Sequence, residues 1–182
     1  MAIETDLKHI AKMAIERETE NWQFRTFLKE LDMTTKEIDT IVHQITAEVT
    51  AQIDCTKCAN CCQQIRPILG KKDVSEFALG LKMPVPQFKE KYLRPASDTP
   101  SKYEFNELPC PFLKDKLCSN YGCRPQDCRS YPHLHKAEFV SRSWGVVENY
   151  GVCPIVFNVY ERLKAELWND DGLEDDFDYE WV

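Results

Sequence analysis

Cys55-Thr56-Lys57-Cys58-Ala59-Asn60-Cys61-Cys62 places four cysteines within eight residues. A Cys-x-x-Cys spacing lets two thiolates converge on one ion, about 2.3 Å from zinc. Here two such pairs overlap, and a fourth cysteine follows directly. Thiolates are soft ligands, so an all-sulfur site selects zinc, copper(I) or iron–sulfur centres and effectively excludes magnesium and calcium. Neighbouring cysteines such as Cys61 and Cys62 point in different directions, which predicts that they serve different sites or different metals.

Working outward, the other cysteines are Cys110, Cys118, Cys123, Cys128 and Cys153, making nine in all. None lies in the first 54 residues or the last 29. The count is odd, and the N-terminus Met1-Ala2-Ile3-Glu4-Thr5-Asp6 shows neither a basic n-region nor an apolar h-region. Both features argue against a secreted disulfide framework and for a reducing, cytoplasmic setting in which clustered thiols hold metal. Cys55, Cys58, Cys61, Cys62, Cys110, Cys118, Cys128 and Cys153 are the candidate ligands, arithmetically enough for two four-coordinate sites. One polynuclear cluster with spare thiols remains the alternative.

Zinc and iron both fit. Cys55-x2-Cys58-x2-Cys61 matches the first three positions of the bacterial ferredoxin run, and a remote Cys-Pro is available at Cys110-Pro111 or Cys153-Pro154, but the x3-Cys-Pro continuation is missing. Paired and separated cysteines equally suit zinc knuckles.

The chain of 182 residues carries 23 basic and 30 acidic side chains, a net charge of −7. That balance disfavours broad nucleic-acid binding. No apolar run approaches the length of a membrane span. By segment, residues 1–54 hold 6 basic and 11 acidic groups, residues 55–153 hold 15 and 10, and residues 154–182 hold 2 and 9. The basic excess of the middle neutralises metal–thiolate anions, each four-thiolate site carrying about −2 with a divalent metal.

Periodicity predicts a mainly α fold: an N-terminal helical hairpin (1–54), a loop-rich Cys-cluster metal-binding domain with a short β-hairpin (55–168), and an acidic, aromatic tail (169–182). In the first helix Ile3, Leu7, Ile10 and Ala14, then Phe24, Phe27, Leu28 and Leu31, recur at helical spacing. Thr34-Thr35-Lys36-Glu37 contains a capping box that opens a second helix. Its Ile38, Ile41, Val42, Ile45, Val49 and Ile53 form one apolar stripe, expected to pack within the chain and to run straight into Cys55. A helix is predicted over 73–81 with Asp73 as cap. Pro84 and Pro86 break it, Pro86 opening a helix through Phe88 and Tyr92. Residues 94–109 read as a loop, 110–118 as a hairpin turning at Lys114-Asp115, and 156–167 as a final helix.

The run Cys55-x2-Cys58-x2-Cys61-Cys62, continued by Cys110-Pro111-Phe112-Leu113, Cys118-Ser119-Asn120-Tyr121, Arg124-Pro125-x2-Cys128-Arg129-Ser130-Tyr131-Pro132 and Cys153-Pro154, resembles the YkgJ family of cysteine-cluster proteins. That family is also called the CxxCxxCC zinc- or iron-chelating domain. The resemblance covers residues 52–168 and implies metal binding by the eight cysteines. A related cluster occurs in bacterial flagellin lysine methylases, which keeps an iron–sulfur enzyme or electron carrier as an alternative. Cys123 departs from the family pattern and is expected to be a bystander.

Arg124 and Arg129 bracket Cys128 and are expected to donate hydrogen bonds to thiolates or to a buried carboxylate. His133 and His135 follow closely, but eight sulfurs leave little need of them, and His9 and His43 read as surface residues. No phosphate-cradling, dinucleotide-binding or nucleophile-elbow motif is present. The leading reading is a metal-binding protein whose zinc or iron lets a loop-rich centre fold. A zinc-based interaction module, using the N-terminal hairpin as partner surface, is the further alternative.

Overall fold

The computed structural model describes residues 1–168; the tail predicted over 169–182 lies outside the described residues. The chain begins with three helices, α1 (Leu7–Glu16), α2 (Glu18–Glu30) and α3 (Thr35–Thr50). The single first helix expected from periodicity is thus two. The break falls at Arg17, whose backbone leaves helical geometry (φ −107°, ψ 19°). Neither proline nor glycine announces it. At this corner the Arg17 guanidinium pairs with Glu161, letting α1 bury Ile10 while α2 buries Phe24 and Leu28.

The capping box is present as expected. Thr34 N–H donates to Glu37 Oε2 (2.8 Å) and Glu37 N–H to Thr34 Oγ1 (3.3 Å). The apolar stripe buries Ile38, Val42, Ile45 and Val49 inside the chain. Each such side chain contributes about 1.5–3 kcal/mol by leaving water. Its partners are α9 (Phe139–Asn149), which the sequence did not announce, and α10 (Pro154–Leu167), which starts two residues before its predicted position. Together they make the larger of two apolar cores. Several buried polar groups are paired there: Tyr150 Oη donates to Glu161 Oε1 (2.7 Å), and Lys164 Nζ reaches Glu161 (2.9 Å) and Glu20 (2.6 Å).

α3 stops at Thr50, and the cysteine run is itself helical, as α4 (Cys55–Cys58) and α5 (Asn60–Gln64). Then come β1 (Ile68–Leu69), α6 (Lys71–Gly80), α7 (Val85–Tyr92), β2 (Leu93–Pro95) and β3 (Tyr103–Phe105). The predicted loop over 94–109 therefore holds most of an antiparallel sheet ordered β1-β3-β2. Its strands are too short to show a period of two. α6 starts two residues early, capped at Gly70. Asp73 instead sits in its first turn, accepting Gly70 N–H (2.9 Å) and Gln126 N–H (2.8 Å). Phe77, Phe88, Phe105 and Phe112 form the second core, with Phe77 and Phe112 ring centres 4.7 Å apart.

The expected hairpin is β4 (Leu113–Lys114) with β5 (Leu117–Cys118). Its turn is Asp115-Lys116, one residue later than predicted. Both residues have positive φ, 47° and 66°, the hand that matches the twist of two joined strands. α8 (Gln126–Ser130) follows.

One long-range contact orders the larger core. Asp39, on α3 and buried, accepts the N–H groups of Glu138 and Phe139, both at 2.8 Å, and so caps α9 from another helix. Asp39→Ala is expected to lower stability by about 1–3 kcal/mol, because two N–H groups lose their acceptor. Thr34→Ala is expected to cost about 1 kcal/mol. Urea-denaturation midpoints measure both; an Asp39 variant no weaker than the Thr34 variant would contradict the capping assignment.

Candidate metal centre

The site begins with Asp54, whose carboxylate accepts Thr56 N–H (2.9 Å) and Thr56 Oγ1–H (2.6 Å) and so starts α4. One helical turn puts Cys55 and Cys58 on the same side. Ala59, buried and left-handed (φ 57°), redirects the chain into α5, which carries Cys61 and Cys62. Two long-range bonds hold this unit. Asn60 Nδ2 donates to the Val152 carbonyl (2.7 Å), and Cys110 N–H donates to the Cys62 carbonyl (2.8 Å). The hairpin register opposes Leu113 to Cys118, while Leu113 N–H returns to the Cys110 carbonyl (3.0 Å). Cys128 rides on α8, tied to β1 through Asp127 Oδ2, which accepts Ile68 N–H (3.0 Å). Cys153 opens α10.

All eight predicted cysteines line one cavity of about 340 Å³, and Cys123 does not. The cavity lies at the seam between the two cores: Phe77 and Phe105 face it from one side, Ile155 and Cys153 from the other. Cys123 Sγ instead packs against α6, where a β-carbon added to Gly80 would come within 2.7 Å of it. Every described cysteine is a free thiol.

The surroundings favour sulfur anions locally and oppose them globally. Backbone N–H groups point at three sulfurs: Phe112 and Leu113 at Cys110, Asn120 at Cys118, and Val156 and Ile155 at Cys153. Burial still pushes the thiols up, Cys110 and Cys153 to about 11 and Cys128 to about 12, with neighbouring thiols adding to the rise. The neighbouring Cys61 thiol and the Arg124 charge lower Cys62 to about 7, while Cys62 and burial raise Cys61. Assembling several thiolates here therefore needs a cation, which is the chemistry of a soft metal site. No three His, Cys, Asp or Glu side chains among the described residues stand at ligating spacing, although eight cysteines line the one cavity.

Arg124 lines the cavity, stacked 3.5 Å over the Tyr121 ring, with Nε donating to the Tyr121 carbonyl (3.2 Å). Arg129 donates to the Arg124 carbonyl (2.7 Å) and Gly122 carbonyl (3.4 Å) and lies 3.8 Å from Glu76. It thus braces the 122–124 loop through carbonyl oxygens, where thiolates or a buried carboxylate had been expected. None of the four histidines lines the cavity. His133 pairs with Asp127 at 3.2 Å. Burial alone would raise the Asp127 carboxyl, but the His133 and Ile68 hydrogen bonds hold it below its ordinary range.

Tyr131 joins the cavity wall without having been singled out by its sequence context. Its hydroxyl donates to Asn149 Oδ1 (2.9 Å) and also meets Cys153. Burial, then the neighbouring thiols, push the phenol above its ordinary range. The available signal was its place one helical turn after Cys128.

The family model CxxCxxCC, described as "Putative zinc- or iron-chelating domain", matches residues 54–145. The chain belongs to this family. Cys153 lies beyond the matched CxxCxxCC segment, and the fold returns it to the cavity. No curated protein and no solved structure matches the chain. Among the described residues, no helix is long and apolar enough to cross a membrane.

Cys123→Ser is expected to leave bound metal per chain unchanged, as measured by elemental analysis. Gly80→Ala is expected to lower the melting temperature, since its methyl would lie 2.3 Å from Asn120 Oδ1, a buried side chain bonded to the Phe77 carbonyl. An unaltered melting temperature would show that this packing yields freely.

Proposed function

We propose that the chain is a cytoplasmic metal-binding protein. Its eight cysteines, Cys55, Cys58, Cys61, Cys62, Cys110, Cys118, Cys128 and Cys153, hold zinc or iron. The metal clamps the seam between the two apolar cores. One observation carries this reading: the eight cysteines singled out by spacing line one cavity, while the ninth is turned onto α6.

The sulfurs come from α4, α5, the β4–β5 hairpin, α8 and the start of α10. A bound cation supplies the positive charge that lets buried thiols ionise together. The protein's own groups do the rest. Asp54 and Ala59 shape the first loop, backbone N–H groups point at Cys110, Cys118 and Cys153, and Arg124 adds a fixed positive charge at the wall. Metal binding and order over residues 55–153 are then one equilibrium, since a preformed thiolate cluster does not exist in the unfolded chain. Structural zinc contributes on the order of 10–16 kcal/mol in small finger peptides.

The alternative of an interaction module using the N-terminal helices gains nothing from the α3 stripe, which is covered by α9 and α10.

Protein purified without oxygen should contain zinc or iron by elemental analysis. A colourless zinc protein supports the structural role. A brown protein that bleaches on reduction would turn the reading to an iron–sulfur centre. Removing the metal with a chelator under reducing conditions should speed hydrogen exchange across 55–153 far more than across α2 and α3. Equal exchange before and after removal would overturn the proposal.

A further inference from the structure

We infer that the eight cavity thiols divide into two four-sulfur metal sites, Cys62 with Cys110, Cys118 and Cys128, and Cys55 with Cys58, Cys61 and Cys153. The inference rests on the reading that these cysteines bind metal, and it answers a question that spacing left open, namely which sulfurs share an ion.

The first set gathers on the side of the phenylalanine core. The Cys62 carbonyl accepts Cys110 N–H at 2.8 Å, which fixes those two residues side by side. The hairpin brings Cys118 back beside Cys110, because Leu113 opposes Cys118 and bonds to the Cys110 carbonyl. Cys110 and Cys118 both pack on the core of Phe77, Phe88, Phe105 and Phe112. Cys128 is delivered by α8, held over β1 by the Asp127–Ile68 bond (3.0 Å). β1 buries Leu69 in that same phenylalanine core, so α8 brings Cys128 to its side of the cavity.

The second set gathers at the head of α10. Asn60 Nδ2 grips the Val152 carbonyl at 2.7 Å, so α5 is pinned next to Cys153. Cys153 is buried in the helical core, and Ile53, two residues before Cys55, packs against the same core, which sets α4 on that side of the cavity. The Tyr131 ring packs on the α10 side of the seam and lines the cavity there.

Consecutive helical residues project about 100° apart. Cys61 and Cys62 therefore serve opposite sites from one turn of α5, and this is where the sites adjoin. Four thiolates complete a tetrahedral shell around zinc or cadmium. Two closed sites, each drawing sulfur from segments remote in the chain, stitch the phenylalanine core to the helical core.

The test uses the full chain loaded with cadmium-113. The wild type should bind two cadmium ions and give two resonances without cadmium–cadmium splitting. Cys110→Ser with Cys118→Ser should halve the bound cadmium and remove one resonance. Cys55→Ser with Cys58→Ser should halve it and remove the other. Cys58→Ser with Cys118→Ser, one change in each set, should weaken both sites together. Complete loss of cadmium from both same-set variants, or splitting through a shared sulfur, would overturn the division while leaving metal binding intact. Should those double variants fail to fold, the single changes Cys110→Ser and Cys58→Ser replace them: each should shift one resonance and leave the other in place, and a shift of both by either change, or a single or split wild-type resonance, overturns the division. A wild type that binds no cadmium would instead overturn the metal-binding reading itself.

Discussion

Sulfur atoms from opposite sides of the molecule meet at one seam, and the rest of the architecture is arranged around that meeting. On one side stand α3, α9 and α10, with Cys153 buried in their core. On the other stand α6, α7 and the small sheet, with Cys110 and Cys118 packed against their phenylalanines. Between them α4 and α5 carry four cysteines in two short turns that bury little apolar surface of their own. Helices of four and five residues do not persist in isolation. What holds α5 is attachment to both sides of the seam, through the Cys62–Cys110 backbone bond and the Asn60–Val152 bond, while α4 is started by the Asp54 carboxylate.

The electrostatics of the seam follow from its burial. A thiolate taken out of water is unfavourable unless charge or hydrogen bonds replace the lost hydration. Backbone N–H groups supply part of that replacement at Cys110, Cys118 and Cys153, and Arg124 supplies fixed positive charge near Cys55, Cys62 and Cys118. The remaining deficit is what a bound cation removes. The basic excess over residues 55–153 acts only in part at the thiols themselves. Arg129 braces a loop through its carbonyls, and Lys89 lies over the Tyr103 ring, 4.5 Å from its centre.

The helical side shows how far local signals reach. The α3 capping box and stripe were legible residue by residue, because capping and burial of one helix face depend on spacings of three and four. The bend at Arg17 was not, since its cause is Glu161, 144 residues away. The start of α9 was equally hidden. Glu138 adopts a left-handed backbone without a capping side chain of its own, and the cap comes from Asp39. The sheet strands between residues 68 and 105 escaped notice because two- and three-residue strands carry no readable alternation.

Residue identity and spacing alone marked the Cys55–Cys62 run as a soft-ligand site and the chain as mainly helical, and the order of its cysteine motifs matched its family, because soft ligands at Cys-x-x-Cys intervals and apolar stripes are properties of short stretches. Only the tertiary structure decided that Cys123 faces α6, that Cys153, beyond the family match, enters the cavity, and that Tyr131 and Asn149 stand behind it. These outcomes depend on contacts between segments tens of residues apart, where a 2.7 Å bond such as Asn60 to Val152 sets a position that no local spacing encodes.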